Sequence, residues 1–80
     1  ELNPQDYETC RLLGITFGIQ NKHEMAVNYF QKAIALRPDI AANYKSLGTA
    51  YMNMGDQEKA REALNKAVEL DPAALGKIQK

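Results

Sequence analysis

Apolar and small residues recur along this chain with helical spacing. Cys10, Leu13, Gly14 and Phe17 fall at i, i+3, i+4 and i+7, which places them on one helical face, and Tyr44, Leu47, Gly48 and Tyr51 repeat the set. A second kind of face carries Ala26, Phe30 and Ala33, and again Ala60, Leu64 and Ala67. Between the two faces of each set stands a residue that tolerates the left-handed conformation, Asn21 in the first and Gly55 in the second. Asp56 follows as a helix N-cap, and Asn3-Pro4 and Asp71-Pro72 each read as an N-cap with proline at the first helical position. The pattern predicts an all-α chain made of two helix–turn–helix units.

The two units are copies. Prolines stand at 4, 38 and 72, so 38 − 4 and 72 − 38 both equal 34, and each proline follows a leucine two residues earlier. Residues 7–40 overlay 41–74 without a gap, with identity at Leu13/Leu47, Gly14/Gly48, Glu24/Glu58, Ala26/Ala60, Lys32/Lys66, Ala33/Ala67, Leu36/Leu70 and Pro38/Pro72. A fixed period of this length marks a repeat architecture. Residues 1–6 read as the tail of a preceding copy and the start of the first helix. Residues 75–80 read as the start of a third repeat or of a capping helix, so the chain looks cut from a longer array. Gly14 with Ala26, and Gly48 with Ala60, are expected to face one another. Such small pairs let helix axes approach toward the lower end of the usual range of about 8–10 Å.

Composition narrows the function. Ten Lys+Arg balance ten Asp+Glu, which argues against a nucleic-acid or anionic-membrane binder, because both rest on a basic excess. The apolar run from Leu12 to Ile19 is too short to span a bilayer, and no charged-then-apolar leader opens the sequence. One cysteine allows no internal disulfide and fits a reducing, cytoplasmic setting. No acid–base pair, Ser/His/Asp set, phosphate loop or metal-ligand spacing is visible, so neither catalysis nor a cofactor or metal is expected. Cys10 belongs to the core stripe, and His23, at the junction of the first two helices, reads as a surface histidine.

These residues together resemble the tetratricopeptide repeat. The second unit offers Tyr44, Leu47, Gly48, Tyr51, Ala60, Leu64, Ala67 and Pro72, with leucine at 64 where the family has an aromatic. The first offers Leu13, Gly14, Phe17, Ala26, Phe30, Ala33 and Pro38, with Cys10 at the leading aromatic position. The resemblance implies an α-solenoid of stacked antiparallel hairpins winding into a right-handed superhelix. It also implies a scaffold for protein–protein interaction, whose concave groove binds a peptide segment of a partner.

The concave surface that the resemblance implies maps onto Glu8, Arg11, Leu12, Ile15, Gly18 and Ile19, and onto Ala42, Lys45, Ser46, Thr49, Met52 and Asn53. The peptide-binding candidates among these are Arg11, Leu12, Ile15, Ile19, Lys45, Thr49, Met52 and Asn53. Arg11, Ile15 and Ile19, like Lys45, Thr49 and Asn53, recur every four residues and form one stripe. Leu12, Ile15 and Ile19 give the first unit a second apolar face with three possible uses: an apolar floor for a ligand, packing on a further repeat or cap, or a homo-oligomer contact. Arg11 and Lys45 occupy the same repeat position, suited to an acidic ligand group. Alternatively they form a solvated face, with Glu8 neutralising Arg11. The basic clamp that some family members use for C-terminal carboxylates is incomplete, since Ile15, Thr49 and Ser46 stand where its polar partners belong. The rival function is a structural module that self-assembles through exposed repeat faces.

Overall fold

A computed structural model describes residues 6–73. They form four helices, α1 (Tyr7–Ile19), α2 (His23–Leu36), α3 (Ala41–Asn53) and α4 (Gln57–Leu70), in two antiparallel hairpins. The expected helix–turn–helix order and both hairpin turns are present. Asn21 has φ 66° and Gly55 φ 85°. In each turn the residue after the left-handed one donates its N–H back five residues, Lys22 to the Phe17 carbonyl at 2.8 Å and Asp56 to the Tyr51 carbonyl at 2.9 Å. This closes orphan carbonyls at the ends of α1 and α3. Asp56 caps α4 as expected, its Oδ1 accepting from the Lys59 N–H at 3.2 Å. Asp6 caps α1 in the same way, accepting from the Glu8 N–H. Asp71 ends α4 and accepts from the Ala73 N–H, but Pro72 and Ala73 form a turn and not the opening of a helix, and α1 begins at Tyr7 with extended Asp6 as its cap and not at Pro4; Asn3 and Pro4 themselves lie outside the described residues.

The hairpins close around glycines. A Cβ on Gly14 would lie 2.6 Å from the Phe30 ring, and one on Gly48 would lie 2.8 Å from Leu64 Cγ and 3.3 Å from the Ala60 carbonyl oxygen. The expected Gly48–Ala60 approach is therefore present. At Gly14 the three nearest atoms all belong to the Phe30 ring, and Ala26 Cβ lies 3.9 Å from where a Cβ on Gly18 would sit.

One core joins the two units. Ala26, Val27 and Phe30 from α2 are buried with Leu47 and Ala50 from α3 and Ala63 from α4, flanked by Phe17, Ile34 and Tyr51. Cys10, Ala33 and Ala67 are fully buried, which places Cys10 in the core as expected. Phe17 stacks on Tyr29 with ring centroids 5.5 Å apart. Gln31 Nε2 donates to the Tyr51 hydroxyl at 3.1 Å, bridging the repeats. At the same joint Asn43 is completely buried, and neither Nδ2 nor Oδ1 finds a hydrogen-bond partner among the described residues. In the loop before α3, Arg37 binds Asp39 through Nε and Nη2, both at 3.0 Å, and its guanidinium lies 5.2 Å from the Tyr7 ring centroid.

Candidate functional site

Because α1 and α3 both seat on α2 and barely touch each other, a groove opens between them with α2 as its floor. Its volume is about 470 Å³. Ile15 and Ile19 form the α1 wall, and Lys45, Ser46, Thr49 and Asn53 form the α3 wall. Ala26, Phe30 and His23 supply the floor. Gly18 keeps the groove deep: the equivalent position in the second unit is Met52, and a side chain of that size here would project over Ala26.

The groove is two-sided in chemistry. Ile19 is 78% exposed and Ile15 is also open to solvent, an apolar wall that nothing described covers. The opposite wall carries hydroxyl, amide and ammonium groups. Thr49 Oγ1 donates to the Lys45 carbonyl at 3.1 Å, so this hydroxyl keeps only its acceptor lone pairs for another group. No carboxylate lines the groove, and Lys45 makes no ion pair among the described residues.

Of the residues marked out from sequence, Ile15, Ile19, Lys45, Thr49 and Asn53 come together here. Arg11, Leu12 and Met52 do not line this groove. Arg11 is half-buried further toward the start of α1, and the expected Glu8–Arg11 pair is not formed. Leu12, 55% exposed, lies on a different face. It corresponds to Ser46, and its neighbour Thr16 corresponds to Ala50, which α3 buries against α2. That side of α1 is the side a preceding repeat would cover. Met52 lines a separate depression with Gln57, Ala60, Arg61, Leu64 and Asn65.

His23 was missed as a groove residue. It was expected at the surface, but it is half-buried, and its Nδ1 is sequestered without a partner. Its position at the first residue of α2 was legible; that α2 would floor a groove was not. Among the described residues no group of three or more His, Cys, Asp or Glu is placed to hold a metal, and no helix is long and apolar enough to cross a membrane.

The tetratricopeptide-repeat family model matches residues 7–40 and 41–73. The chain belongs to the tetratricopeptide-repeat family. Tandem repeats of this family are protein–protein interaction scaffolds, and this one carries two. It is similar to a peroxisomal targeting signal receptor of Kluyveromyces lactis, 31% identical over 88% of the chain and 12% of the receptor. It is also similar to the BBSome complex member BBS4 of Bos taurus, 34% identical over 90% of the chain and 14% of that protein. Among solved structures, the crystal structure of MamA superposes with a TM-score of 0.86 and 31% identity, over 89% of this chain and 42% of MamA. This tetratricopeptide pair thus spans less than half the length of each of these relatives.

Proposed function

We propose that this tetratricopeptide pair holds a peptide segment of a partner protein in the α1–α3 groove. The occupant has an apolar anchor that enters over Gly18, between Ile15, Ile19 and Phe30, and an acidic group that meets Lys45. The observation that supports this reading is the groove's asymmetry: among the described residues an uncovered apolar wall faces a polar wall whose lysine makes no ion pair. A ligand with the opposite arrangement buries apolar area on one side and places charge against charge on the other. Arg11 and Leu12 lie outside the groove lining and extend the contact only if the peptide runs past the start of α1.

Affinity for a single short peptide is on the order of micromolar, about −8 kcal/mol. The test is a peptide panel in which an apolar anchor and a carboxylate are varied separately, titrated at low salt. Gly18→Met fills the notch and is expected to abolish selection of the anchor. Lys45→Ala is expected to abolish selection of the carboxylate and to flatten the salt dependence. A panel in which both variants bind like the parent refutes the groove as the site.

A further inference from the structure

Two polar recognition points stand at opposite ends of the α1–α3 groove. Antiparallel packing brings His23, the first residue of α2, to the end where Ile19 and Asn53 finish α1 and α3. Lys45 precedes Asn53 by 53 − 45 = 8 positions on α3, about 12 Å along the helix axis. His23 is half-buried, and its Nδ1 is shut off from solvent without a partner. The other ring nitrogen, Nε2, is not sequestered and makes no hydrogen bond among the described residues. The Asn53 side chain is exposed and likewise makes none among them.

The start of α2 decides where the imidazole proton sits. Helical side chains tilt toward the N-terminus of their helix, so a ring on its first residue leans over the first turn. That turn carries free N–H groups and the positive end of the helix dipole. In α4 the Asp56 carboxylate answers them, whereas the cap residue of α2 is Lys22, whose side chain makes no capping bond. Beside such an end a sequestered Nδ1 is better a lone pair than one more unpaired N–H. The proton is left on Nε2, the nitrogen that stays reachable.

We infer that His23 is a specificity-determining residue of the groove, a neutral imidazole whose Nε2–H donates to the side-chain amide oxygen of an asparagine or glutamine in the bound segment. The inference rests on the groove being the peptide site. An uncharged acceptor fits this end, because Ile19 and Ala26 line it with His23, and a carboxylate would be desolvated there against a neutral donor. Asn53 completes the pairing. Its amide oxygen accepts from the ligand's amide N–H, so a donor and an acceptor stand where a primary amide needs both. An extended chain advances about 3.3–3.6 Å per residue, which sets this amide about three or four residues from the acid that meets Lys45.

The first test needs neither a ligand nor a variant. Long-range proton–nitrogen correlation of the His23 ring in the isotope-labelled full chain, at mildly alkaline pH where histidine is neutral, is expected to show a protonated Nε2 and a bare Nδ1. A protonated Nδ1, or averaging between the two forms, overturns the inference whatever the groove binds. The second test uses short blocked peptides with a leucine, a glutamate and, three or four positions from the glutamate on either side, glutamine or the similarly shaped methionine. At one of these spacings the parent chain is expected to bind the glutamine peptide about fivefold more tightly than its methionine twin, the worth of one neutral hydrogen bond. His23→Phe is expected to erase that preference. His23→Gln, which places there the residue that opens α4, is expected to keep it. An amide preference that survives His23→Phe overturns this inference. So does its absence from the parent while the Lys45-dependent preference for glutamate over alanine is intact, a result that leaves the groove standing as the peptide site. No shift of any groove amide at millimolar peptide overturns both readings together.

Discussion

Gly14 and Gly18 stand one turn apart on α1, and alanine at the two positions should have opposite effects. Either substitution gains about 1 kcal/mol of helix propensity in a helix interior. At Gly18 the new methyl meets only Ala26 Cβ, at 3.9 Å, an ordinary contact, so the gain is kept. At Gly14 it meets three atoms of the Phe30 ring at 2.6, 2.7 and 2.9 Å. Phe30 is 4% exposed and hemmed by Val27, Leu47 and Ala50, so the ring cannot swing into solvent. Overpacking of this kind costs about 1–3 kcal/mol, leaving Gly14→Ala neutral to about 2 kcal/mol less stable than the parent. The two variants should therefore differ by about 1–3 kcal/mol. For a domain of this size each kcal/mol corresponds to about 4–8 °C in melting temperature. Urea and thermal unfolding followed by circular dichroism, with slopes checked for equality, measure the gap. A Gly14→Ala variant as stable as Gly18→Ala would refute the packing described for the first hairpin.

Three other outcomes follow from particular groups. Asn43→Ala is expected to be neutral or to stabilise by about 1 kcal/mol in urea melts, because it removes a buried amide that lacks partners; a loss of 2 kcal/mol or more, as for an ordinary core truncation, would show that the amide is satisfied. Asn21→Ala is expected to cost about 1–2 kcal/mol, the penalty of left-handed backbone for a residue with a β-carbon and no local polar compensation, read from the same melts. The third concerns pH. The hydrogen bonds from Arg37 hold the Asp39 carboxyl below its ordinary range. Its contribution is therefore present above the ordinary aspartate value and lost as pH falls through the lowered one. Asp39→Asn should give a shallower fall of the urea midpoint between neutral and strongly acidic pH, and identical slopes for the two proteins would refute this.

Much of the fold was legible because it is local. The repeat period, the left-handed residues Asn21 and Gly55 and the Asp56 cap each depend on a few neighbouring residues, and they stand where the sequence placed them. Contacts between the units were harder to read. Val27, Ala50, Ala63 and Tyr29 look unremarkable along the chain and become core or stacking residues only when one hairpin docks on the other. The groove was half legible for a geometric reason. The two helices present different sides to it, so the stripe Lys45, Thr49 and Asn53 of α3 lines the groove whole while the equivalent stripe of α1 enters it only from Ile15 onward. His23 and Phe30 were missing from it because they belong to the floor helix, which no periodicity within α1 or α3 reveals.

The shared seat of α1 and α3 on α2 has a mechanical consequence. With almost no direct contact between the two walls, the width of the groove is set by how the second hairpin is angled on α2, and the Gln31–Tyr51 hydrogen bond is one of the few polar ties resisting that rotation. Bending a tetratricopeptide array at this joint opens or closes the groove as a hinge does. A segment gripped by both Ile19 and Asn53 would stiffen the joint in return, so that occupancy at one step of such an array would be transmitted as curvature along it.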